Sequence, residues 1–185
     1  MKKSVLLIAA IIIMIQCNVS MGKVPEVIKV AKKGDLARVQ QLIESGVDIN
    51  ATDRRNLTAL MWASSNGNIE IARLLIEKGA DVNAHSGWTA LIWAAAKGQT
   101  DVVKLLLEKG ADINAVNSAG CTALMLAAYL GRTETAKLLI DNGAKLNVKS
   151  NYGVTALMMA RQKMVVKGDK RMDIAGMLEA AGAKE

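Results

Sequence analysis

Apolar positions along this chain fall into two short patterns that alternate. In residues 121–153, Ala123, Leu124, Met125, Leu126, Ala127 and Ala128 form one apolar run between Thr122 and Gly131. The run is long enough for about two helical turns, and its threonine is placed to accept from the first free backbone N–H groups. Beyond Gly131, Ala136, Leu138, Leu139 and Ile140 recur at helical spacing among Glu134, Lys137 and Asp141. This predicts an amphipathic helix over 133–142. Gly143 predicts a left-handed C-cap, and the polar stretch 149–153 an extended turn to the next threonine. The unit reads helix, turn, helix, projecting loop.

The unit recurs. Thr-Ala-Leu stands at Thr58, Thr89, Thr122 and Thr155, at intervals of 31, 33 and 33 residues. A glycine follows the first three at Gly67, Gly98 and Gly131. A second glycine closes the units at Gly46, Gly79, Gly110 and Gly143, each with an asparagine four residues later (Asn50, Asn83, Asn114, Asn147). A period of this size means stacked supersecondary units with a core continuous between neighbours. Ala63, Ala94, Ala95, Ala127 and Ala128 would let the first helices approach closely. The leucine pairs 74–75, 105–106 and 138–139 would fill the space between layers. The expected fold is all-α, a solenoid of helix-turn-helix units with projecting β-hairpin loops. The recurring Asp81, Asp112 and asparagines are expected to hold hairpin backbone in place.

These residues resemble the ankyrin repeat over about residues 24–185. The family's Thr-Pro-Leu-His-x-Ala-Ala element is similar to the segments that begin at Thr58, Thr89, Thr122 and Thr155. Its Leu-Leu-x-x-Gly-Ala-Asp-Val-Asn-Ala element is matched at 74–84 and 105–115. Alanine replaces the proline, and Met61, Ile92, Met125 and Met158 replace the histidine. The polar network that histidine makes in the family should therefore give way to apolar packing. The repeats are placed at about 24–56, 57–87, 88–120, 121–153 and 154–185, with the first and last as caps. The third hairpin is two residues short, and Met164 to Lys170 reads as an insertion between the helices of the last repeat.

The N-terminus is a different kind of sequence. Lys2 and Lys3 precede an apolar run from Val5 to Ile15, and Ser20 and Gly22 stand as small residues before a cleavage point. This is the layout of a secretory signal peptide over residues 1–22, with 23–185 as the mature domain. The run is well short of the roughly 20 residues a spanning helix needs. Export to a bacterial periplasm is the expected localisation. An alternative starts from Met14-Ile15-Gln16-Cys17, which loosely resembles a lipoprotein signal with Cys17 as the acylated residue. A membrane is a partner only in that case.

Charge alters this picture little. The formal net charge is +7, and loss of Lys2 and Lys3 with a leader would lower it to +5. Lysines and glutamates alternate on the second helices, a solvated pattern, and export argues against nucleic acid as a partner. Cys121 is the one cysteine of the mature domain, so no internal disulfide forms, and it is expected as a semi-buried filler. His85 is the single histidine. With no second histidine, cysteine pair or carboxylate cluster at ligand spacing, neither a metal site nor a catalytic centre nor a cofactor site is expected.

Positions that differ between copies point elsewhere. They are the residues before each threonine (Leu57, Trp88, Cys121, Val154), those before the mid-repeat glycine (Lys97, Tyr129 and Leu130 among them), and the hairpin tips with Arg54, Arg55 and Tyr152. In the ankyrin family such places line a concave face that binds proteins. The chain has no phenylalanine, three tryptophans and two tyrosines. Trp88, Tyr129 and Tyr152 fall on changing positions, while Trp62 and Trp93 follow the methionine or isoleucine that replaces histidine. Tryptophan, tyrosine and arginine are enriched at interface hot spots. Arg54, Arg55, Trp62, Trp88, Trp93, Lys97, Tyr129, Leu130 and Tyr152 are therefore the expected contact residues of a monomeric, non-catalytic protein-interaction module. A lipid-anchored scaffold is the alternative.

Overall fold

Each Thr-Ala-Leu threonine starts a helix. The computed structural model describes residues 24–162 and 171–184, and its described helices fall into five pairs. They are α1 (Glu26–Lys33) with α2 (Leu36–Glu44), α3 (Ala59–Asn66) with α4 (Ile69–Glu77), and α5 (Ala90–Lys97) with α6 (Thr100–Glu108). Two further pairs follow, α7 (Ala123–Tyr129) with α8 (Thr133–Asp141) and α9 (Ala156–Arg161) with α10 (Arg171–Ala180). The hydroxyls of Thr58, Thr89, Thr122 and Thr155 each accept from the backbone N–H three residues on, at 3.3 Å. At the other end, the Gly79 N–H donates to the Ile76 carbonyl and the Ala80 N–H to the Leu75 carbonyl. The same two bonds recur at Gly46, Gly110 and Gly143. This is the Schellman closure that a glycine with positive φ permits.

First helices pack in one layer (α1, α3, α5, α7, α9) and second helices in another. Alanine sets the spacing in the first layer, where Ala31, Ala59, Ala63, Ala94, Ala95, Ala127 and Ala128 have no exposed surface. Leu75, Leu106 and Leu139 are fully buried beneath them, each contributing about 1.5–3 kcal/mol by burial. Their neighbours Leu74 and Leu138 are only half-buried at the outer surface. The first pair behaves as a cap, since Val39 alone is buried on α2.

One expectation gains detail and two need correction. No strand occurs among the described residues. The hairpins are tight turns with isolated bridges at Thr52–Thr58 and Val116–Thr122, because Asp53, Asn117 and Ser150 close them from within. Each of those side chains accepts two backbone N–H groups of its own turn.

The asparagines reach the following repeat instead of their own hairpin. Asn83 Oδ1 accepts from the Asp112 N–H at 2.9 Å, and its Nδ2 donates to the Gly110 carbonyl at 3.1 Å. Asn50 makes the same pair with Asp81 and Gly79. Asn114 and Asn147 accept from the amides of Lys145 and Lys184. The aspartates do the local work, as Asp48, Asp81 and Asp112 accept from the N–H two residues on.

Finally, the methionines in the histidine position do more than pack. Met125 Sδ accepts from the Thr122 N–H at 3.2 Å, and Met61 Sδ from the Ser86 hydroxyl at 3.5 Å.

Candidate protein-binding face

Five residues before each mid-repeat glycine, the first helices present Lys29, Trp62, Trp93 and Leu126 in register. The three apolar members are half-buried: their inner edges rest on the alanine layer and their outer edges meet solvent.

Trp62 is held from several directions. Its Nε1 donates to Asp53 Oδ2 at 3.2 Å. The ammonium of Lys32 lies 4.2 Å from its ring centroid and the guanidinium carbon of Arg55 5.0 Å from it, each contact worth about 0.5–1 kcal/mol at such a site. Asp53 Oδ1 accepts from the N–H groups of Arg55 at 2.8 Å and Leu57 at 3.0 Å. Burial pushes the Asp53 carboxyl up. The two amides, the Trp62 indole and the Arg55 charge outweigh that and hold it below the usual carboxylate value.

Two clefts meet at this indole. One of about 250 Å³ is walled by Leu57, Met61, Trp62 and Trp93, with Arg55, Ser65, Asn66 and Lys97 around it. The other, about 320 Å³, is lined by Val24, Ile28, Lys29, Lys32, Asp53, Arg54, Arg55 and Trp62. Arg55 and Trp62 belong to both, so the clefts adjoin. Trp93 stacks on Trp88 with ring centroids 4.5 Å apart. The Trp93 indole N–H is buried and has no acceptor among the described residues.

Of the nine residues the sequence singles out, Arg54, Arg55, Trp62, Trp93 and Lys97 line these clefts. Trp88 lines neither; it is half-buried and supports Trp93. Tyr129, Leu130 and Tyr152 are exposed, Tyr152 by 82%, on the fourth repeat and at the following hairpin tip. Leu57 and Cys121 are buried, because the residue before the threonine turns toward the core at those two repeats. Burial also raises the Cys121 thiol pKa. Sequence reasoning missed Lys29, Lys32 and Asp53. Counting back two positions from Gly34, as from Gly67 and Gly98, finds Lys32.

His85 is engaged with backbone. Its Nδ1 accepts from the Gly87 N–H at 3.3 Å, which assigns the proton to Nε2 and its bond to the Val116 carbonyl at 3.0 Å. Among the described residues no three of His, Cys, Asp or Glu gather as metal ligands, and no helix is long and apolar enough to cross a membrane. Cys17 and residues 163–170 lie outside the described residues.

The family model for ankyrin repeats in three copies matches residues 27–117 and 114–169. This chain belongs to the ankyrin-repeat family. Its ankyrin array is 42% identical over 62 residues to palmitoyltransferase Hip14 of Drosophila melanogaster, covering 34% of this chain and 10% of that protein. It is 50% identical over 58 residues to palmitoyltransferase akr1 of Schizosaccharomyces pombe, covering 31% and 9%. A third relative, ankyrin repeat, SAM and basic leucine zipper domain-containing protein 1 of Carollia perspicillata, is 38% identical over 55 residues, covering 30% and 12%. The chain spans about a tenth of the length of these relatives. The similarity lies in the ankyrin segment, a non-catalytic protein–protein interaction module.

Proposed function

We propose that this ankyrin array binds a protein partner through the concave face built by its first helices and hairpin turns, and acts without catalysis of its own in a bacterial cell envelope. The observation that carries the reading is the pair of adjoining clefts around Trp62. They place a large aromatic anchor, Arg55 and Lys97 on one surface, the composition of interface hot spots. The envelope reading rests on residues 1–22, whose charged start, short apolar run and small residues match an export signal.

The test is affinity capture from the native envelope fraction, with the Trp62→Ala/Arg55→Ala variant run beside the wild-type chain. A protein retained by the wild type and lost with the variant is the expected result. Equal retention by both would move docking off this face. A second reading rests on Cys17: acylated there, the array would be a membrane-tethered scaffold. Intact-mass measurement separates the two, since a chain that starts at Lys23 has no anchor and a lipid-modified Cys17 keeps one.

A further inference from the structure

The clefts around Trp62 are unbalanced in charge. Of the carboxylates beside them, Asp53 accepts from two backbone N–H groups and the Trp62 indole and keeps its charge, so it offsets one of the nearby cations, with Arg55 acting on it. Lys29 is paired with Glu26 at 3.0 Å. Among the described residues, the ion pairs Lys29–Glu26 and Arg161–Glu179 involve none of Lys32, Arg55 and Lys97. Lys32 and Arg55 nevertheless converge on one indole ring. Two cations drawn to the same indole ring repel one another, so an anion placed beside both relieves that repulsion and adds its own attraction.

The other half of the site is apolar. Leu57, Met61, Trp62 and Trp93 wall the adjoining cleft, and its volume suits one aliphatic or aromatic side chain. An occupant complementary to both halves carries negative charge on either side of an apolar residue. We infer that the partner of this face presents an acidic peptide segment, its carboxylates at Lys32, Arg55 and Lys97 and an intervening apolar side chain in the cleft between Trp62 and Trp93. The inference rests on the protein-binding reading above and adds the chemistry of the partner.

The chemistry has two consequences. Rim carboxylates steer encounter and are screened by salt, whereas the apolar contact is not. A partner with the same charges and no apolar residue should bind weakly, and so should one with the apolar residue alone.

The test uses the full chain and a synthetic peptide of alternating glutamate and aspartate around a central leucine. Its amide counterpart, with glutamine and asparagine, is the control. Binding is read by tryptophan fluorescence and titration calorimetry. Saturable binding at least about tenfold tighter for the acidic peptide is expected, weakening as salt is raised. Lys32→Gln with Arg55→Gln should remove it. Lys104→Gln with Lys137→Gln, on the exposed surface of the second helices, should leave it unchanged. Equal binding of the amide peptide overturns the inference, as does acidic binding that survives Lys32→Gln/Arg55→Gln. Tighter binding to anionic lipid vesicles or to an oligonucleotide overturns it too. If the peptide fails while a captured protein is still lost with Trp62→Ala/Arg55→Ala, docking on this face stands and only its acidic chemistry falls.

Discussion

Asp53 shows how one side chain can serve a turn and a surface together. Asn117 occupies the same place in a later repeat and accepts the same two backbone N–H groups. Asp53→Asn should therefore preserve the turn while removing the charge behind Trp62. The wild-type carboxyl is held below its ordinary 3.8, so its stabilisation is present above that value and is lost as pH falls through the lower folded-state value. Thermal melts should show Asp53→Asn less stable by roughly 1 kcal/mol at pH 7, with the two proteins converging in acid. A constant gap at every pH would remove the charge from the explanation. At this scale the sequence was partly legible. Arg55, Trp62 and Lys97 stood out because they interrupt a repeat. Lys32 did not, because the first repeat lacks the Thr-Ala-Leu anchor that fixes alignment. The pairing of Trp88 with Trp93 was invisible, since nothing in the spacing says which aromatic lies beneath the other.

Helices and turns were the most legible features, because caps, glycines and apolar spacing all agree on them. Helix α8 ends one residue earlier than the periodicity predicts. What the pattern could not convey is that the mid-repeat glycines do two things. Gly67 and Gly79 both have positive φ, 76° and 94°. A side-chain carbon on Gly79 would meet nothing within 4 Å, whereas on Gly67 it would lie 2.5 Å from Oε1 of Gln99. Gln99 there donates to the Ser65 carbonyl at 3.4 Å. Alanine at either glycine should cost about 1–2 kcal/mol for the left-handed backbone. Gly67→Ala should cost roughly 1 kcal/mol more, for the displaced Gln99 bond. Urea denaturation of both variants measures the difference, and equal losses would mean that Gln99 moves aside freely. Asn56 makes the reverse prediction. It is the non-glycine residue with positive φ (57°) among the described residues, and it stands where later hairpins carry Gly87, Gly120 and Gly153. Asn56→Gly should be neutral or stabilising by a few tenths of a kcal/mol, measured by the same unfolding curves.

Over the whole molecule, stability is a sum of similar joints. The repeat period could be read directly from the sequence. The joints could not, since each asparagine and its partners are 27 to 31 residues apart at Asn50, Asn83 and Asn114. Asn83→Ala removes both bonds of one joint and should cost about 1–2 kcal/mol. Native-state hydrogen exchange should show the added opening at the Asp112 amide, across the joint, more than at Asn83 itself. Toward the next unit the asparagines hydrogen-bond main-chain N–H and C=O groups, which every residue but proline possesses in full. At this joint one unit thus reads the backbone of the next, so the joint itself does not depend on which unit follows. Excision of residues 88–120 would bring Asn83 opposite the Lys145 amide now served by Asn114, and the shortened chain should fold with a lower melting temperature. Gain or loss of whole units at this junction would then change the length of the binding face while leaving the way each unit is joined intact.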